Sequence, residues 1–430
     1  MIQTLFYIPA TVGGYPVFGV GLLLWAWCLF GVCMLGYLIW RQGFNADTFS
    51  YLPILVIVAA AIIWMLPAVC DQQGRGLPIR GYGVMMLVAV VSATALAVWR
   101  GKRRGLIPDT IFSLGLWMFL PGIIGGRLFY IIEYWENYRQ ATFGQTLVAA
   151  VNIAQGGLVV YGALIGGTLG MILFVRKNRL PLLAMCDLVA PSIVLGLAIG
   201  RIGCFLSGCC YGSISDLPWA VTFPVTSAAY ETQMARGQMY GILLSGQFKT
   251  PPLVLDVKPD STAAQAGLKR GDRVVKVNRQ TIDSNGMLQG VFADSQTAKF
   301  PLILDLADGR EVRLPAITLP QRSMAVHPTQ LYSSINAFLL CFFLLAFEPF
   351  KRHDGMVFAL MLTIYPVARF LLEIIRTDES AVFGTGLSIS QNVSLLLLAA
   401  IAVMWYFVLK SPLSRTLVSP SRARLPYGSV

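Results

Sequence analysis

DLVAPSIVLGLAIGRIGCFLSGCCYG, residues 187–212, decides the fold. The apolar run from residue 183 to 206 exceeds the roughly 18 residues that a bilayer-crossing helix needs, and Arg201 sits inside it. An ionisable side chain at membrane depth costs on the order of 2.5–3.5 kcal/mol on insertion scales, so it faces a polar interior and marks function. Gly196 and Gly200 lie four apart, laying small residues along one helix face where another backbone approaches closely.

Eight further runs of this kind occur at residues 17–40, 51–70, 82–99, 111–132, 156–175, 329–348, 355–376 and 390–409. Hydrophobic residues make up 56% of the 430 and charged residues 13%, against about a quarter charged in soluble domains. The expectation is an all-α polytopic membrane protein of about nine transmembrane helices. The N-terminus has no basic segment or small-residue cleavage pattern, so the first span is expected to remain.

The net charge of +12 follows membrane topology and not a nucleic-acid surface. Basic residues crowd alternate connections: Arg100, Lys102, Arg103 and Arg104; Arg176, Lys177 and Arg179; Lys351 and Arg352; then Lys410, Arg415, Arg422 and Arg424. The positive-inside rule then puts the N-terminus and residues 213–326 outside and the C-terminus in the cytoplasm.

The chain divides into two N-terminal helices (1–76), four glycine-rich helices (77–212), an outside insert (213–326), three more helices (327–412) and a basic tail (413–430). Within the insert, residues 253–257 read as a strand, Ser261 caps a short helix ended by Gly267, and residues 273–278 form a second strand. FPLILDL and EVRLPAI flank the turn Ala307-Asp308-Gly309. That order, with AAQAGLKRGDRVVKVN, resembles a PDZ domain at about 241–318. Such domains bind peptide ends by strand addition, which implies a peptide or protein partner. Against it, the strand read as the docking edge follows Pro251 and Pro252, which have no N–H to donate.

Two other glycine series, Gly122 with Gly126 and Gly162 with Gly166 and Gly170, read as packing faces, and Gly208 and Gly212 would extend the one on residues 187–212. Arg127, Arg201, and Arg369 with Glu373 four residues on are buried charges on three helices. Converging guanidinium groups suit an anionic lipid headgroup, because they grip phosphate through paired donors. Tyr82, Tyr161 and His327 lie at span edges.

Of eight cysteines most lie in apolar spans, where free cysteine acts as a small hydrophobe. Cys204 falls on the glycine face and reads as a packing residue. Cys209 and Cys210 would diverge on a continuing helix, with no histidine or CxxC spacing beside them, so neither a metal site nor a cofactor is expected. A redox or lipid-acceptor role for them stays open.

GYGVM, IIGGRLFY, QGGLVVYGALIGG, the opening stretch, HPTQLY and YPVARFLLEIIR together resemble the bacterial prolipoprotein diacylglyceryl transferase family, over about 78–212 and 327–378. The resemblance implies a seven-helix inner-membrane enzyme that moves the diacylglyceryl group of phosphatidylglycerol onto the lipobox cysteine of a prolipoprotein, forming a thioether. It puts Arg201 on the lipid headgroup and Arg369 in a second essential cationic position, matches Tyr82, Gly212, Tyr365 and Glu373, and leaves Arg127 a structural or headgroup arginine. Where the family carries HGG, with its histidine proposed as base, this chain has YGA, placing Tyr161 there to assist thiol deprotonation. Cys204 and Cys209 replace the family's asparagine and glutamate. A non-catalytic lipid- or lipoprotein-binding protein is the alternative these departures leave open.

Overall fold

The computed structural model describes residues 3–43, 51–70, 74–138, 149, 157–244, 252–284, 287–288, 290–292, 300–316, 320–376, 385–410 and 413. Among them are nine helices long and apolar enough to cross a membrane. They are α1 (Leu22–Gln42), α2 (Leu52–Val69), α3 (Gly81–Arg103), α4 (Pro108–Glu133), α5 (Val160–Lys177), α6 (Leu182–Ser207), α9 (Thr329–Phe347), α10 (Met356–Ile375) and α11 (Ile389–Lys410). The shorter α7 (Ala228–Ala235) and α8 (Thr262–Gln265) lie in the insert. The tail read as basic and Pro251 lie outside the described residues, Leu413 excepted.

The chain forms two compact units, Met1–Met85 and Met86–Val430. The first holds α1 and α2, an antiparallel pair of β1 (Thr4–Ile8) with β4 (Leu77–Arg80), and the hairpin of β2 (Thr11–Val12) with β3 (Tyr15–Pro16).

In the second unit α6 is the central helix: 67% of its apolar window is buried, against 33% for the next, which α9 begins. It packs on α9 and α10, and α10 packs on α11. Ala190, Val194 and Ala198 of α6 meet Ala337, Leu340 and Leu344 of α9 and Val357 and Met361 of α10. Outward-facing Leu116, Phe119, Leu396 and Phe407 remain exposed, as a lipid-facing surface requires.

The α4 and α5 glycines are contact residues. A Cβ on Gly162 would overlap the Gly125 carbonyl, one on Gly166 the Pro121 carbonyl, and one on Gly170 the Trp117 carbonyl. Backbone therefore lies on backbone, the arrangement small residues permit in membranes.

At the end of the bundle where α10 begins, Asp187 is fully buried and accepts from the Gly355 N–H (2.8 Å) and the Phe358 N–H (2.9 Å) while pairing with Lys351 Nζ (3.0 Å). A carboxylate borrowed from α6 thus satisfies free amides at the N-terminus of α10. Beside it Arg100, 2% exposed, pairs with Glu348 (2.7 Å), which Arg104 also holds.

The insert has its own core of Tyr240, Ile242, Val254, Leu288, Phe292, Leu302, Leu304 and Leu314. Strands β7 (Val274–Val277), β8 (Gln280–Thr281), β9 (Leu302–Leu306) and β10 (Glu311–Leu314) form one sheet in the order β10-β9-β7-β8, and β5 (Ile242–Leu244) pairs with β6 (Val254–Val257). Ser261 caps α8 as its sequence predicts, accepting from the Ala264 N–H at 3.2 Å. The docking edge is corrected: β6 has β5 on one side and, through the Leu253–Arg273 bridge, the β7 segment on the other. Of the β5–β6 pair, the strand with the open edge among the described strands is β5.

Two substitutions test this packing by thermal unfolding in detergent. Gly166→Ala is expected to destabilise by about 1–3 kcal/mol, the cost of overpacking, while Gly115→Ala, with open space at its Cβ, stays near wild type. Asp187→Leu strands Lys351 and the α10 amides and is expected to cost about 3–5 kcal/mol; a midpoint equal to wild type would remove Asp187 from the account.

Candidate active site

The site grows from the far ends of α6 and α10. On α10, Tyr365, Arg369 and Glu373 fall four residues apart and so share one face. Arg369 pairs with Glu373 at 2.9 Å and donates to Ser390 Oγ of α11 at 2.9 Å, and the Nε of Arg376 lies 3.8 Å from the same carboxylate. Glu373 is 5% exposed, so the pairing holds its charge at depth. On α6, the Nε of Arg201 is buried with no hydrogen-bond partner among the described residues. Three cations are thus associated with these two helix ends, and two of them share one carboxylate.

Backbone hydrogen bonds bring these ends together. The Gly212 N–H donates to the His327 carbonyl (2.9 Å), the Ser213 N–H to the Ile375 carbonyl (2.9 Å), and the His327 N–H to the Ser213 carbonyl (3.0 Å). The segment leaving α6 is therefore clamped between the start of α9 and the end of α10. A Cβ at Gly212 would come within 2.7 Å of His327 Cβ and 2.8 Å of Thr329 Cγ2, so only glycine fits. Thr329 Oγ1 donates to the Cys210 carbonyl (2.8 Å) and Gln330 Nε2 to the Cys209 carbonyl (2.6 Å). Three separated stretches, CCYG, HPTQLY and RFLLEIIR, meet here.

The other residues singled out from sequence take different places. His327 is half-buried with Nδ1 3.4 Å from the Tyr332 hydroxyl, which accepts from Trp219 Nε1 at 2.8 Å. Tyr161 lies half-buried in the first turn of α5, whose start is fixed by the Val159 N–H donating to the Gly126 carbonyl (3.1 Å). Arg127, 6% exposed, donates to the Gly157 and Ala149 carbonyls, each at 3.1 Å, and faces the rings of Tyr130 and Tyr138. Its guanidinium ties α4 to the segment that leads into α5. Tyr82 is exposed in the first turn of α3, within the 1–85 unit.

Arg376, Thr329, Gln330 and Ser390 escape a reading based on spans. The signal for Arg376 is its i+3 spacing from Glu373; Thr329 and Gln330 lie inside HPTQLY and are visible only once that motif is taken as more than a helix start.

The cysteine stretch departs from expectation. Helix α6 stops at Ser207, Gly208 caps it in the left-handed conformation (φ 75°), and Cys210 also has positive φ (58°). The glycine series therefore ends at Gly200, and Gly208 and Gly212 serve as turn and clamp. Because no helix continues, Cys209 and Cys210 do not diverge: the Sγ atoms of Cys204, Cys209 and Cys210 all lie within 4.8 Å of one another, each half-buried. Of the described residues these three are the group placed to hold a metal ion.

Residues 72–407 match the family described as prolipoprotein diacylglyceryl transferase. A protein of Rhodopirellula baltica named phosphatidylglycerol–prolipoprotein diacylglyceryl transferase is 34% identical over 440 residues, covering 93% of this chain and 88% of its own. One of the same name from Clostridium tetani is 29% identical over 323 residues, covering 74% of this chain and 89% of its own. With its arginine-bearing helix ends and glycine clamp inside the matched region, the chain belongs to the prolipoprotein diacylglyceryl transferase family.

Proposed function

We propose that this protein transfers the diacylglyceryl group of phosphatidylglycerol to the cysteine thiol of a prolipoprotein lipobox. The observation that carries the reading is Arg201, a guanidinium whose Nε is buried on a membrane helix with no hydrogen-bond partner among the described residues. A buried unpaired donor is costly, and a lipid phosphate supplies the missing acceptor. Arg369, oriented by Glu373 and Ser390, is the second cation. As the thiolate attacks the glyceryl carbon, charge builds on the departing glycerol phosphate, and fixed arginines stabilise it without reorganising. Tyr365 shares the α10 face of Arg369, Gly212 holds the backbone clamp beside it, and Tyr161, at the start of α5, is the side chain assigned to assist thiol deprotonation.

The alternating basic loops support a place in the bacterial inner membrane with the insert and N-terminus outside and the C-terminus in the cytoplasm. The strand order of the insert supports a PDZ-like domain at about 241–318, with β5 as its receptive edge for a peptide or protein partner.

Purified protein mixed with phosphatidylglycerol vesicles and a lipobox peptide is expected to give a thioether-linked product by mass spectrometry. Arg201→Ala is expected to lower turnover by about 100-fold or more. No product from folded wild-type protein would contradict the assignment. In the same assay Arg127→Ala should lower the thermal midpoint and leave KM for phosphatidylglycerol unchanged, because its donors are engaged by backbone carbonyls; a raised KM at wild-type stability would move Arg127 to the headgroup.

A further inference from the structure

Transfer to sulfur needs a thiolate, since the protonated thiol is a poor nucleophile. This chain has Tyr161 at the start of α5, and three cysteines where the helix end turns back on itself. A metal about 2.3 Å from each of three sulfurs holds them about 3.8–4.0 Å apart, in tetrahedral or trigonal geometry. The sulfurs of Cys204, Cys209 and Cys210 lie within 4.8 Å of one another as they stand. Hydrogen bonds from Thr329 and Gln330 to the Cys210 and Cys209 carbonyls pin the two adjacent cysteines, and the left-handed Cys210 completes the turn that gathers the thiols.

We propose that Cys204, Cys209 and Cys210 form a zinc site whose fourth position takes the lipobox thiol and delivers it as a thiolate. The inference rests on the transferase reading above and supplies its nucleophile.

Three protein ligands with one open position is the pattern of catalytic rather than structural zinc, and thiolates select such a cation. All three cysteines remain partly exposed, which leaves the metal approachable. Three thiolates around a divalent cation carry one net negative charge, and Cys210 lies within electrostatic reach of Arg376 and Arg201. Arg201 also precedes Cys204 by three residues on α6, so the two are neighbours on the helix surface. The activated sulfur and the headgroup cation thus stand side by side.

In the step, the peptide thiol loses its proton to solvent as sulfur enters the fourth zinc position. A sulfur electron pair then forms the carbon–sulfur bond to the glyceryl carbon. The carbon–oxygen bond to phosphate breaks, and its electron pair leaves with glycerol phosphate at the arginines. Zinc does not change oxidation state, and no other reactant is consumed.

Cadmium substitution in the full-length protein, kept reduced in detergent, tests this through the ultraviolet thiolate-to-cadmium charge-transfer band. One equivalent is expected to bind with the intensity of three thiolates, rising to four with the lipobox peptide and unchanged by its serine analogue. Cys204→Ser or Cys210→Ser should cut the band by a third or more, while Cys186→Ser leaves it intact. Stripping zinc with a chelator should slow transfer about 100-fold, the scale of lost base catalysis, and zinc should restore it. Absence of a stoichiometric band, a band that ignores the peptide thiol, or a disulfide among these cysteines in the freshly isolated protein would overturn the site. Full transfer after chelation would overturn its role and leave the transferase standing. Absence of transfer by zinc-loaded protein that shows the expected bands would overturn the transferase reading instead.

Discussion

The arrangement depends on a short backbone clamp at the end of the most buried helix. Gly212 and Ser213 hydrogen-bond to the start of α9 and the end of α10, and those bonds join three parts of the chain far apart in sequence. A β-carbon at Gly212 has no room. The clamp fixes where Arg201, Arg376 and the cysteine turn stand, and the Arg369–Glu373 pair on α10 lies one turn beyond it. At the other end of the same helices, Asp187 satisfies the first amides of α10, so both ends of that helix are tied to polar groups inside an apolar bundle. Burial alone would leave α10 free to slide along α6; directional bonds at its two ends set the register.

That geometry accounts for unequal roles among the arginines. Arg127 has carbonyls and aromatic rings around it and serves the α4 connection to α5. Arg100 and Arg104 are held by Glu348. Arg369 and Arg376 share Glu373. Arg201 keeps a buried Nε with no acceptor among the described residues, and a headgroup phosphate is the acceptor we propose for it.

Much of this was legible in the sequence for physical reasons. Span lengths follow from bilayer thickness, and the nine helices fall where the apolar runs lie. The glycine series on α4 and α5 declared a close backbone contact, because four-residue spacing lines residues without side chains along one helix face. The i, i+4 spacing of Arg369 and Glu373 foretold their pair. The Asp187 network and the cysteine cluster stayed hidden because each depends on partners or a chain reversal that periodicity does not encode. Cys209 and Cys210 look divergent on an extrapolated helix; a left-handed glycine and a left-handed cysteine reverse that. The docking edge of the insert was misassigned for a related reason: strand β5, three residues long, leaves too short a pattern to show which strand lies outermost.

The most direct measurement of the central claim is rescue of a bacterium depleted of its own diacylglyceryl transferase. The account predicts that the wild-type chain restores growth and lipid-modified lipoproteins, and that Arg201→Ala, present in the membrane at equal amount, restores neither. Failure of the wild type to lipidate lipoproteins, or full rescue by Arg201→Ala, would contradict it.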